Sequence, residues 1–111
     1  SESIKNVTLP QTLTYIGKAA FEGTGITKVV LPERLTDIAE KMFLECRKLE
    51  SIYIPKAVQT IGKEAFKDCS LRDVYYGGNE EQWKQLVRDH EELNYITPHY
   101  NSSALLATLS L

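Results

Sequence analysis

The line "VTLPQTLTYIGKAAF" at 7–21 returns as "VVLPERLTDIAEKMF" at 29–43 and as "IYIPKAVQTIGKEAF" at 52–66. A shift of 22 residues carries Ile4, Val7, Leu9, Pro10, Leu13, Ile16 and Phe21 onto Ile26, Val29, Leu31, Pro32, Leu35, Ile38 and Phe43. A further 23 reaches Leu49, Ile52, Ile54, Pro55, Val58, Ile61 and Phe66. A fourth copy opens at Leu71, Val74 and Tyr76 and then departs, with Gly77 in the proline position. All 3 phenylalanines share one column, 3 of the 4 prolines another, and both cysteines a third, whose first member is Thr24. Rare residues sort this way when one structural unit is built repeatedly, and a period of 22 to 23 belongs to solenoids.

The spacing inside one copy prescribes a coil. "NVTLP", "KVVLP" and "SIYIP" alternate apolar with other residues and are rich in β-branched types, which predicts short strands. Proline, with no N–H to donate, ends each of them. Val7/Leu9, Val29/Leu31, Ile52/Ile54 and Val74/Tyr76 then point inward, each onto its equivalent one coil away. Leu13/Ile16, Leu35/Ile38 and Val58/Ile61 return the chain, extended, across the opposite side. Gly17, Ala39 and Gly62 keep the next corner small, and "KAAFEG", "EKMFLE" and "KEAFKD" are read as single helical turns that drop a phenylalanine into the core. A lone coil leaves its apolar edges open, so the coils must stack.

"GGNEEQWKQLVRDHEEL", at 77–93, has the grammar of a regular helix. Asn79 suits the N-cap, Gln82 completes a capping box, and Glu80 and Glu81 favour the positive end of the helix dipole. Trp83, Leu86, Val87 and His90 share one face of that helix. Trp83 reads as a platform for a ligand or as a plug over the open end of the last coil; the need of every stacked array for a closed end favours the plug.

Chemistry finds little support. The 2 histidines, His90 and His99, fall in no metal-binding spacing, and neither a nucleophile elbow nor a phosphate-cradling loop occurs, which predicts no enzyme, no cofactor and no metal. With 13 basic and 15 acidic residues the net charge is -2, which offers nucleic acid no basic field. No apolar run approaches the roughly 18 residues that cross a bilayer. Cys46 and Cys69 are stacked equivalents within reach of a disulfide, but side chains in one column point parallel, so two buried free thiols are expected.

What remains is the solvent side of the strands. Asn6, Lys28, Ser51 and Asp73 form one outward row; Thr8, Val30, Tyr53 and Tyr75 form another that turns aromatic toward its end. Tyr53, Tyr75, Val30, Lys28 and Asp73 are therefore the candidate binding residues, since exposed tyrosines are enriched at protein interfaces. The plainer reading is that such residues merely suit strands and stack on one another.

Across residues 4–76 the line L-x-x-I-x-I-P-x-x-(L/V)-x-x-I-(G/A)-x-x-(A/M)-F-x-x-C resembles the BspA-like, or Treponema-type, class of leucine-rich repeats. "DVYYGGNEEQWKQL" resembles the ending of such arrays, and "HYNSS" at 99–103 the closing strand after it. The resemblance implies a right-handed leucine-rich-repeat coil with short strands, single helical turns and a C-terminal helix cap. The expected division is repeats over 1–78 (4–25, 26–48, 49–70 and a partial 71–78), a cap of helix and short strand over 79–103, and an unassigned tail, "ALLATLSL", over 104–111. The family implies a bacterial cell-surface or secreted protein, extracellular, whose array binds a protein or glycan in adhesion, with further repeats N-terminal to this stretch. The rival expectations are a spacer or stalk, and an accessory domain of a larger surface enzyme. In a bacterial protein the two sequons, at Asn6 and Asn101, carry no meaning.

Overall fold

A computed structural model describes residues 6, 7 and 9–110; Ile4 and Thr8, named above, lie outside the described residues. Four short strands, β1 (Asn6–Val7), β2 (Lys28–Val30), β4 (Ser51–Ile54) and β6 (Asp73–Tyr76), form a parallel sheet in the order β1-β2-β4-β6. Their register pairs Asn6 with Lys28, Lys28 with Ser51 and Ser51 with Asp73, so each strand meets its own equivalent one repeat on. On the return side β3 (Asp37–Ile38) and β5 (Thr60–Ile61) make a second parallel pair.

Proline does two jobs at the end of each strand. It offers no ladder donor, and its carbonyl accepts the amide three residues on, from Leu13, Leu35 and Val58, which starts the turn toward the return side. Gly77 replaces it in the fourth copy, and the N–H gained there donates to the Ile54 carbonyl at 2.9 Å, adding a bond to the last strand.

Between the two sheets lies one core of Val29, Leu31, Leu35, Ile38, Ile52, Ile54, Val58, Ile61 and Val74, all buried. The phenylalanine column runs through it as a stack: Phe21 to Phe43 at 5.6 Å between centroids and Phe43 to Phe66 at 5.3 Å, with near-parallel rings. In the first coil, Val7, Leu9 and Phe21 are only partly buried.

The expected single helical turns are replaced by another structure. Each "AAF"-type segment is a run of four-residue turns, with the amides of Ala20, Glu22 and Thr24 donating to the carbonyls of Gly17, Ala19 and Phe21, and the same pattern in the next two coils. The alternate amides leave the coil altogether. Those of Ala19, Phe21 and Gly23 donate to the carbonyls of Glu40, Met42 and Leu44, and those of Lys41, Phe43 and Glu45 to the carbonyls of Lys63, Ala65 and Lys67, at 2.8–3.0 Å. Donors spent on the neighbouring coil cannot close the i→i−4 bonds of a helix. The backbone adapts with two columns of positive φ, Ala19/Lys41/Glu64 and Gly23/Glu45/Asp68, all between 58° and 71°. Each sits at the third position of its turn, where a type II turn needs φ > 0; only one of the six is glycine. The coils are thus tied by backbone hydrogen bonds on three sides, through the four-stranded ladder, through the β3–β5 pair and through the turns. At the corner between, a Cβ on Gly62 would lie 2.3 Å from the Glu40 nitrogen, so that coil contact requires glycine.

The cysteine column belongs to the same turn stack. The Cys46 thiol donates to the Phe21 carbonyl at 2.9 Å and the Cys69 thiol to the Phe43 carbonyl at 3.0 Å; both cysteines are free, but only Cys46 is buried as expected, Cys69 being half-buried. Burial pushes the Cys46 thiol up from its ordinary value and the Cys69 thiol up to about 12, so neither holds appreciable thiolate at neutral pH. A maleimide is expected to label neither thiol in the native chain and both in urea. Fast native labelling, or an intact mass two hydrogens short under non-reducing conditions, would contradict this arrangement.

The cap begins as its sequence requires. Asn79 accepts from the Gln82 amide at 2.9 Å, its own amide donates to Gln82 Oε1 at 2.8 Å, and α1 (Glu80–Leu86) follows. The helix stops much earlier than the expected run to Leu93. After the C-cap Val87, turns closed by the His90, Leu93 and Ile96 amides bend the chain back. Leu93 and Ile96, which follow this bend, are buried in the core. His90 packs in the first of these turns, its side chain 17% exposed and Nδ1 3.7 Å from Glu92. The expected closing strand at 99–103 shrinks to one bridge, in which His99 pairs with Tyr75 and exchanges bonds with Val74 and Tyr76. The unassigned tail forms a second helix, α2 (Ala104–Ser110).

Candidate functional site

The strand register sets the outer face of the ladder in rows whose members stand about 4.8 Å apart. In the first row, Lys28, Ser51 and Asp73 are register partners; Lys28 is exposed, Ser51 buried and Asp73 half-buried. In the second, Val30, Tyr53 and Tyr75 are partners, and His99 adds a fourth member through its bridge. The Tyr75 and His99 rings stack at 4.5 Å between centroids, and His99 Nε2 stands 3.9 Å from Asp73 Oδ1. Aromatic surface and a carboxylate therefore share the C-terminal end of the face.

Tyr53 corrects the sequence expectation. It was to be an exposed anchor, yet only 2% of its surface is accessible. The reason is α2, which lies against β2 and β4 on the outer side of the ladder. Glu33, just beyond the proline that ends β2, links the two: its Oε1 accepts the Tyr53 hydroxyl at 2.8 Å and its Oε2 the Ala104 amide at 3.4 Å. Burial, then the Glu33 hydrogen bond and charge, push the Tyr53 phenol well above its ordinary value. Val30 is half-buried beside it, and Ala107 of α2 is fully buried. Of the five candidate residues, Lys28 is exposed, Val30, Asp73 and Tyr75 are half-buried, and Tyr53 is buried.

Sequence reasoning missed Glu33, His99 and Ala107. Glu33 follows the proline column as an ordinary surface acid, and nothing in its spacing points to a tyrosine 20 residues later. His99 is reached only once the cap has folded back, and Ala107 has no counterpart in the repeat.

Trp83 is the plug. It is 3% exposed, and its indole packs at 5.2 Å and a tilt of 55° against Tyr76 of the last strand. An open groove at that end is lined by Trp83 together with Lys84, Arg88 and Tyr100. Among the described residues no group of three or more His, Cys, Asp or Glu stands close enough to hold a metal ion, and no helix is long and apolar enough to cross a membrane.

No curated protein and no solved structure matches the chain. A family model does, that of the BspA type leucine rich repeat region (6 copies), over residues 1–87. The match extends from the first strands through α1 to its C-cap Val87. By strand register, turn stack and family match together, the chain belongs to the BspA type leucine-rich-repeat family.

Proposed function

We propose that this chain is a non-catalytic binding module of a bacterial cell-surface or secreted protein. It is built as a right-handed solenoid of repeats over 1–78, closed by the cap over 79–103, and it adheres to a protein or glycan partner through the outer face of its ladder. The observation that carries this reading is the fixed register of outward side chains, which presents Lys28, Asp73, Tyr75 and His99 as a rigid patch. Such a patch needs little backbone ordering on contact, which lowers one of the entropic costs of association. Membership of the family supports a protein-binding repeat module at a surface.

One observation favours the rival reading, a structural spacer. The chain's own α2 covers Tyr53, one of the two tyrosines expected as anchors. A Lys28→Ala/Tyr75→Ala variant separates the two. Beads coated with the chain are assayed for adhesion to host-cell and matrix-protein surfaces, after the variant is shown to be folded. Truncating an interface anchor commonly costs about 2 kcal/mol, about thirtyfold in affinity. Unchanged adhesion by the folded variant would remove the exposed rows and leave the spacer ahead.

A further inference from the structure

α1 rests on the end of the array through Trp83 and the C-cap Val87, both buried, and a groove runs along each of its flanks. The first, of about 510 Å³, lies between α1 and the chain that bends back over 94–100. The second, of about 420 Å³, lies between α1 and the return side of the third coil at Val58 and Gln59. Both volumes fall in the range of small-ligand sites, about 300 to 1,000 Å³. Arg88, which follows the C-cap, lines both grooves. Lys84 in the first is paired with Glu80 at 3.4 Å, whereas Arg88 is exposed and makes no ion pair or hydrogen bond among the described residues. The second groove has no carboxylate in its lining and three amides, those of Gln59, Gln82 and Gln85. The first adds the Asn94 amide and the Thr97 hydroxyl, with Ile96 and the half-buried Tyr100 as apolar wall. On a chain of net charge -2, the two grooves therefore share one surplus positive charge, that of Arg88.

We infer that the two grooves form one binding site for an acidic oligosaccharide, with a sugar carboxylate on the Arg88 guanidinium and the neighbouring sugars in the grooves on either side. A single planar guanidinium matches a singly charged carboxylate, which it can hold through two parallel hydrogen bonds. A phosphate or a densely sulfated chain calls for more than one surplus cation. The amides and the Thr97 hydroxyl each donate and accept, as the hydroxyls of a sugar ring require. An acidic peptide is the poorer fit, because its recognition uses a free strand edge or a cluster of arginines, and α1 with its one unpaired arginine offers neither. None of the lining residues belongs to the ladder rows, so this site is separate from the adhesive face proposed above.

The test is an NMR titration of the full chain, read at backbone amides and arginine side chains, with a tetrasaccharide of alternating glucuronic acid and N-acetylglucosamine. Shifts are expected at Arg88 Nε, Asn94 and Gln85, and none at Lys28 or Tyr75. Arg88→Gln should weaken binding about tenfold or more, the loss of one bidentate charge-assisted pair. Arg88→Lys keeps the charge without the fork and should restore little of it. The same tetrasaccharide with its carboxyls reduced to alcohols should bind the unaltered chain about tenfold more weakly as well. Asn94 and Gln85 are exposed and line one groove each, so Asn94→Ala and Gln85→Ala should each cost about threefold without disturbing the fold. The Lys28→Ala/Tyr75→Ala variant should bind the sugar unchanged, so the ladder reading and this one can fail separately. The inference is overturned by unchanged affinity in folded Arg88→Gln, by equal binding of the reduced sugar, or by equal shifts from an acidic tripeptide of glutamate and glycine. An absence of shifts at Arg88 with the sugar at about 10 mM would overturn it too.

Discussion

Phe43→Ala is expected to lose about 3 to 5 kcal/mol of stability, the usual cost of emptying a large aromatic site in a core. Phe43 is fully buried, with Phe21 stacked on one face and Phe66 on the other, so neither neighbour can fill the gap without leaving its own stack. Its backbone is committed as well: the amide donates to Ala65, and the carbonyl accepts both the Cys46 amide and the Cys69 thiol. The site therefore has little freedom to collapse. Phe21→Ala should cost less, because the first coil leaves that ring partly exposed. Urea melts of the two variants give the comparison, with the slope m checked to be unchanged. A loss below about 1 kcal/mol at Phe43 would contradict the stacked register.

Trp83→Ala has a comparable expected cost, about 3 to 5 kcal/mol, for a different reason. The indole closes the end of the array over Tyr76, where no further coil is stacked. Stability in repeat proteins is a sum over neighbouring units, and a terminal unit without its cap presents its core edge to water. The damage should therefore be uneven: faster hydrogen exchange in β6 than in β2 beyond what the global loss explains. If Trp83→Ala melts within about 1 kcal/mol of the parent, the indole is not a plug and its role as a contact residue returns.

The stacking was legible in the sequence because every core column is written three times. Ile52 and Val29 could be paired before any strand was seen, and Asn79 with Gln82 announced the helix start. The backbone of the turns was not legible. "KAAFEG" and its equivalents bury one phenylalanine per segment, a spacing that a helical turn and a run of stacked β-turns satisfy alike. The residues that take positive φ include Ala19, Lys41 and Glu64, none of which advertises it; Gly23 alone hinted at the column. Where α1 ends was hidden too, since Leu93 and Ile96 continue the apolar count while their burial depends on the chain bending back. On the candidate face the limit was of another kind. Alternation along "SIYI" tells which way Tyr53 points relative to the core, but not whether a distant segment lies over it. "ALLATLSL" has no counterpart in the repeat, so no column could say where it docks.

A surface of fixed rows requires coils locked at the turns as well as in the ladder, and native-state hydrogen exchange measures this directly. The amides of Lys41, Phe43 and Glu45, which donate across to the next coil, should be protected to the level of Ile52 and Tyr53 in the strand ladder. Exchange of those three at the rate of an unstructured peptide, with the ladder still protected, would contradict it: the turn side of the coils would then be unjoined and the rows free to splay.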